Sequence, residues 1–222
     1  MGEAELLDSE LLDAVRERII KWFSNDGRDF PWRSTQNPYH ILIAEMLLRR
    51  TTASAVARIY DDFLTRFDTP QKLKQARIST IERMVSTLGL QSVRAKHIHE
   101  TALILVRDYN GEVPPDSAVL ESFPGVGQYA AAAVSNFAFG NAEPMVDGNV
   151  LHLMNRIFEL GFAQSSDKRI WQFMQRFGGE KQDKRLYWGI IDLVALVCLR
   201  RNPRCQKCPL SQNCRYSAAN PK

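Results

Sequence analysis

All four cysteines of this chain fall within its last 25 residues. They are Cys198, Cys205, Cys208 and Cys214, in the segment CLRRNPRCQKCPLSQNC, with the spacing C-x6-C-x2-C-x5-C. No other feature restricts the fold as much. A disulfide framework spreads its cysteines along a short secreted chain, whereas here everything before Cys198 has none. Four thiolates this close in sequence can enclose one tetrahedral zinc ion or one cubane [4Fe–4S] cluster. Zinc ribbons usually present two C-x2-C knuckles, and only one is present. The loop between the first two cysteines carries Arg200, Arg201 and Arg204. Fixed at both ends, it is a basic prong suited to a phosphate backbone, or else a plain solvated charge run.

Clustered cysteines imply a reducing compartment. The first residues, MGEAELLDSELL, are acidic and polar and do not read as a secretory signal. No apolar run approaches the ~20 residues of a membrane helix. The expectation is a cytoplasmic protein, nucleoid-associated if prokaryotic, with no membrane partner and a monomeric state. A net charge of +4 is mild and says only that a polyanion is tolerated.

Helical periodicity runs through the rest. Ser9 can cap a helix whose apolar face is Leu12, Val15, Ile19, Trp22 and Phe23. Asn37-Pro38 is a cap followed by proline at the first helical position. Thr69-Pro70 opens a short helix, and Ser79-Thr-Ile-Glu82 reads as a capping box with Gly89 as a stop. Residues 93–109 form a longer helix, Asp116 starts another, and helical patterns return at 128–139, 148–160, 166–177 and 183–198. No segment alternates as a strand does. The fold class is all-α, with roughly ten helices in two lobes and a groove between them. One lobe is expected to hold residues 1–25 and 130–222, the other residues 26–129.

Within LESFPGVGQYAAAAV, Gly125 and Gly127 make a tight turn between two helices, and Val126 between them can tuck inward. Glycine allows the positive φ and close backbone approach such a turn needs. The free N–H groups opening the second helix then point outward, where the helix dipole favours an anion. No charged side chain stands in the turn. A Walker loop would need Lys-Ser/Thr after the glycines, and a dinucleotide fingerprint a preceding strand; neither is present. What remains is a helix-hairpin-helix that grips one DNA phosphate, or a tight connection with no ligand.

DFPWR at 29–33, NPYHILIAEMLLRRTT at 37–52, FPGVGQYAAAAV at 123–134, MVDGNV at 145–150 and the cysteine cluster occur together, in this order, in one family. Over residues 16–217 the chain resembles the helix-hairpin-helix (HhH-GPD) superfamily of base-excision DNA glycosylases. Within it, the likeness is to the iron–sulfur branch that includes endonuclease III and the adenine glycosylase MutY. The resemblance implies a [4Fe–4S] cluster on the four cysteines and double-stranded DNA containing a mismatch as partner. It puts the family's catalytic aspartate on Asp147, where an anion stabilises the cationic sugar or helps activate water; without it, Asp147 could be only an N-cap.

Tyr129 stands where endonuclease III has a lysine that attacks the sugar. Tyrosine has no amine and cannot form that Schiff base, so the resemblance implies a monofunctional enzyme that leaves an abasic site. Packing is the plainer reading of Tyr129. The RRTT wording after Glu45, with Tyr129, resembles the Mig-type thymine glycosylases, which act on G·T and G·U mismatches. Glu45 then reads the edge of the extruded pyrimidine, and Arg49 or Arg50 fills the gap and contacts the orphan guanine, whose acceptors suit arginine. Alternatively, Glu45 pairs with Arg49 within the helix. MVDGNV is closer to MutY wording, which keeps adenine opposite guanine or 8-oxoguanine as the second substrate class. Against it stands the expectation that the extra C-terminal domain of MutY is missing. In the turn GLQSVRAK, Gln91 and Ser92 are candidates for insertion into the base stack, unless the turn is only a helix cap. A non-catalytic DNA-lesion binder is the alternative from another class; the presence of both Asp147 and Glu45 argues against it.

Overall fold

The computed structural model describes residues 8–179 and 183–220. Thirteen α-helices account for most of them, and none of the described residues is in a strand. None of the described helices is long and apolar enough to cross a membrane. The expected all-α class is borne out.

The chain divides into two compact units, Met1–Arg28 with Ala142–Lys222, and Asp29–Asn141. In the first unit α1 (Ser9–Asp26) packs on α11 (Lys168–Gly178) and α12 (Lys184–Leu196), while α10 (Gly148–Phe158) packs on α12 and α13 (Arg215–Ala219). Val15, Ile19, Met154, Phe177 and Ile190 fill its core. A Cβ on Gly189 of α12 would stand 2.7 Å from the Ile19 side chain, so only glycine lets α1 approach this closely. The buried Asp192 carboxylate accepts from the backbone N–H of Arg28 (2.7 Å) and from its guanidinium (2.6 Å), which pins the end of this first segment to α12.

The second unit contains α2 (Pro31–Ser34), α3 (Pro38–Leu48), α4 (Ala53–Arg66), α5 (Pro70–Lys74), α6 (Ile78–Met84), α7 (Gln91–Asp108), α8 (Ser117–Glu121) and α9 (Gln128–Phe139). Its centre is α3, buried from Ile41 through Leu47 on every face, as a helix apolar all round must be. It packs on α4, α7 and α9. Because α9 packs on α3 and α8, the whole of it belongs here. The unit therefore extends to Asn141, where the sequence-based boundary was drawn at residue 129.

Side-chain caps explain most helix starts. Asn37 accepts from the N–H groups of Tyr39 and His40 with Pro38 at the first position, and Thr52, Thr69, Asp116, Asp167 and Asp183 cap in the same way. Two expected caps differ. Asp8, not Ser9, caps α1, through the N–H of Glu10 at 3.1 Å. The Ser79–Glu82 box does not form, because α6 already begins at Ile78 and Ser79 lies inside its first turn.

Candidate active site

The hairpin runs from α8 through Phe123-Pro-Gly-Val-Gly127 into α9. Val126 is buried and anchors the turn, and its N–H donates to the Phe123 carbonyl at 3.0 Å. Gly125 has φ +78, a conformation that side chains with a Cβ rarely adopt. A Cβ there would also lie 2.5 Å from His97 Nδ1 and 2.6 Å from Arg49 Nη1. Gly127 is the N-cap of α9, and no side chain caps that helix. An added Cβ at Gly127 meets nothing within 4 Å, so no protein contact demands glycine there. The second residue of α9, Tyr129, is half-buried.

In the same unit, α3 stops at Leu48 with Arg49 as its C-cap. Arg49 Nη1 is 3.2 Å from His97 Nδ1, so the guanidinium lies beside the hairpin. Burial, then the positive charge of Arg49, lowers the His97 pKa, which keeps the imidazole neutral and able to accept. Arg50 follows in the left-handed region, with φ +50, and is exposed. Glu45, on the same helix, is buried. Its charge is one of the influences that raise the pKa of the buried Tyr60, after desolvation and Asp61. Tyr60 donates to the His40 carbonyl at 3.0 Å and packs edge-on against Trp32 of DFPWR, which stacks on Phe30. DFPWR thus supports the α3–α4 pair.

Gln91 and Ser92 open α7 and are both exposed. The residue before them, Leu90, is the α7 N-cap. It is left-handed at φ +52 and half of its surface (51%) is open to solvent. Val93 is equally exposed. Leucine in such a conformation carries a cost of roughly 1–2 kcal/mol.

In the first unit Asp147 is the N-cap of α10. Its Oδ1 accepts from the N–H groups of Asn149 and Val150, each at 2.8 Å, and its Oδ2 accepts from Asn149 Nδ2 at 2.8 Å. Burial raises the Asp147 pKa despite these three bonds, and the positive charge of Arg200 works against the rise. Arg200 comes from the cysteine loop; its Nη2 donates to the Gly148 carbonyl at 3.0 Å. Arg201, beside it, is exposed.

The cysteine loop is tied to α10 along its length. Arg156 donates to Cys198 Sγ (3.4 Å) and to the carbonyls of Leu199 (2.9 Å) and Arg200 (3.2 Å), and its guanidinium lies over the Tyr216 ring. His152 Nε2 is 3.0 Å from the Cys198 carbonyl. Cys198, Cys205, Cys208 and Cys214 all line one pocket, together with Leu153, Ile157 and Leu210. Burial pushes the Cys208 thiol up to about 11, and the neighbouring Cys198, Cys214 and Cys205 add to the rise. Among the described residues no three such side chains are grouped closely enough to hold a single metal ion.

A model of the HhH-GPD superfamily of base excision DNA repair proteins matches residues 43–178, which include the hairpin, the α3 terminus and the α10 cap. The chain belongs to the HhH-GPD superfamily. Among relatives, a thymine-DNA glycosylase of Aeropyrum pernix is 36% identical over 216 residues, covering 95% of this chain and 97% of its own length. A thymine/uracil-DNA glycosylase of Methanothermobacter thermautotrophicus is 38% identical, with coverage of 89% and 90%. An adenine DNA glycosylase of Mycobacterium tuberculosis is 34% identical over 86% of this chain but only 64% of its own length. The solved structure of a thermostable thymine-DNA glycosylase superposes with a TM-score of 0.90 at 34% identity, covering 95% of this chain and 98% of that one.

The superfamily and its fold are as the motifs indicated. The site residues distribute as follows. Glu45, Arg49, Arg50, Gln91, Ser92, Gly125, Val126, Gly127 and Tyr129 lie in the unit Asp29–Asn141, and Asp147, Arg200, Arg201 and the cysteines in the other. Arg49 and the hairpin come together through His97. Sequence reasoning gave the two arginines one shared role. Both are exposed, but the structure gives them different surroundings: Arg49 contacts His97 beside the hairpin, while Arg50 is held at φ +50. Three residues went unnoticed. His97 and Arg94 each look like an ordinary polar residue on a helix. Leu90 was passed over because its signal, a leucine beside a glycine in a turn, equally suits a buried turn.

Proposed function

We propose that this protein is a monofunctional DNA N-glycosylase that releases thymine or uracil mispaired with guanine. The observation that carries this reading is the match, across nearly the full length of both chains, to glycosylases named for thymine and for thymine/uracil. In this reading the uncapped N-terminus of α9 takes a backbone phosphate, and the open space at Gly127 lets it approach the main chain. The target nucleotide leaves the stack, at lower cost in a wobble pair than in a matched one. Leu90, exposed and held left-handed, enters the space it vacates, with Gln91 and Ser92 following it in the first turn of α7. Arg50 meets the orphan guanine, whose O6 and N7 accept from a guanidinium.

As the N-glycosidic bond breaks, its electron pair leaves with the base and the sugar becomes cationic. The Asp147 carboxylate, fixed by three hydrogen bonds, stabilises that charge and orients the water that adds to the sugar carbon and gives its proton to the departed pyrimidine anion. Glu45 hydrogen-bonds the polar edge of the pyrimidine. Tyr129 offers no amine, so the strand is left intact at an abasic site.

The four cysteines suit an iron–sulfur cluster. All four line one pocket, together with Leu153, Ile157 and Leu210. Burial holds Cys198, Cys208 and Cys214 protonated in isolation; iron would supply the positive charge that makes them thiolates. When bound, a [4Fe–4S] cluster would join the two ends of the loop carrying Arg200, Arg201 and Arg204 through Cys198 and Cys205. Absorbance near 400 nm together with iron and acid-labile sulfide in the purified protein would establish it; zinc alone would exclude it. The activity is tested by chromatography of the base freed from a G·T duplex. Free thymine is the expected product, and no free base from either G·T or G·U would refute the reading.

A further inference from the structure

Arg94 is a nearly fully buried cation, 4% exposed, on the first turn of α7. Its guanidinium donates to main-chain carbonyls. Nη1 reaches Met46 (2.7 Å) and Leu47 (3.0 Å), and Nη2 reaches Arg49 (2.7 Å). Both Nε and Nη2 also reach Gly89, at 3.4 Å. The first three carbonyls form the end of α3, where the helix dipole is negative and the last C=O groups lack helical partners. Arg94 therefore caps α3 from a different helix, and the same planar fork grips the turn before α7.

What lies just beyond each end of this fork matters. After the Arg49 carbonyl comes Arg50, at φ +50; after the Gly89 carbonyl comes Leu90, at φ +52. Both are exposed non-glycine residues in a region that side chains disfavour. Such conformations persist only where the surroundings over-determine them, and one buried group holds the carbonyl immediately before each.

We infer that Arg94 is a positioning residue that locks Arg50 and Leu90 into one rigid two-pronged unit, so that insertion on the two strands of the duplex occurs together. This rests on the proposed function, which assigns those prongs to the orphan base and the vacated stack. Lysine is not an equivalent: a single ammonium on a flexible stem lacks the fork that spans two segments. Loss of the lock lets the prongs move independently.

The test uses the full-length holoenzyme, Arg94→Gln and Arg94→Lys. Two substrates carry the same thymine: one in a G·T duplex, one in an unpaired bubble where nothing need be inserted. A 2-aminopurine beside the thymine in the duplex reports unstacking on binding, independently of base release. The expected result is a single-turnover rate on the duplex reduced about tenfold or more, and little fluorescence rise at saturating protein. On the bubble the rate should stay within about threefold of the unsubstituted protein, and Arg94→Lys should fall between the two. Equal losses on duplex and bubble, or a normal rate and fluorescence on the duplex, would overturn the inference. If Arg94→Gln does not fold, Arg94→Lys, which keeps the charge, is judged by the same two comparisons. Failure of the unsubstituted protein to release thymine from either substrate would refute the functional reading instead, and the fluorescence comparison would still decide the lock.

Discussion

Asp147→Asn separates the two tasks of this side chain, capping and charge. As a cap the change is nearly silent: asparagine ranks with aspartate at this position, and its amide oxygen can still accept from the N–H groups of Asn149 and Val150. The bond from Asn149 Nδ2 to Oδ2 is lost, because an amide NH2 would then face another NH2 unless Asn149 flips. A hydrogen bond to a charged group is worth about 1.5–3 kcal/mol. Set against that loss is the relief of a buried charge, since burial raises the Asp147 pKa. A carboxyl whose folded pKa is raised favours the native state most below its unfolded pKa, and this contribution is lost as pH rises through the folded value. The variant has no such loss. Its stability relative to the unsubstituted protein should therefore improve from pH 4 to pH 7, and at pH 7 the two should agree within about 1 kcal/mol. Activity should not survive: removing one preorganised electrostatic group costs about 10²–10³-fold. Denaturant melts at both pH values and single-turnover base release from G·T duplex measure the two effects. A variant with full activity, or one destabilised by several kcal/mol and more so at pH 7 than at pH 4, would refute the reasoning.

Three further outcomes follow from named contacts. Arg200→Gln removes the positive charge that restrains the Asp147 pKa; the acid limb of the pH–rate profile should move to higher pH, and an unmoved limb would contradict the coupling. Tyr129→Lys places an amine at the second residue of α9, so duplexes should be nicked without alkali and trapped covalently by borohydride; intact strands would argue against Tyr129 facing the sugar. Gly125→Ala forces a Cβ into the left-handed region and against His97 and Arg49. It should cost about 1–2 kcal/mol or more of stability and weaken binding to matched and mismatched DNA alike, measured by melting and by fluorescence anisotropy.

The fold was legible where local chemistry decides it. Asn37-Pro38, Thr69-Pro70 and Asp116 each place a side-chain acceptor one residue before a helix, and each does cap it. Ser79 misled because a capping box is a pattern of residue types, and the actual start at Ile78 uses no side-chain cap. The hairpin was legible because Gly125 sits at φ +78, where a Cβ would also press on His97 and Arg49. Asp147 showed locally only as an N-cap, which it is; its catalytic candidacy, like that of Glu45, came through motif wording. What the sequence did not disclose is tertiary. Nothing in VRAKH announces that Arg94 reaches back more than forty positions to the end of α3, or that His97 meets Arg49. Nor does a leucine in a turn announce its exposure. Those facts depend on how α7 lies against α3, which no spacing within either helix encodes.

The central claim is that this site removes a pyrimidine opposite guanine and leaves the strand intact. End-labelled duplexes carrying G·T, G·U, A·G and A·8-oxoguanine, treated under single-turnover conditions with and without alkali, test it most directly. The account predicts cleavage at the thymine or uracil of the first two duplexes, and only after alkali. Cleavage confined to the adenine-containing pairs would contradict it.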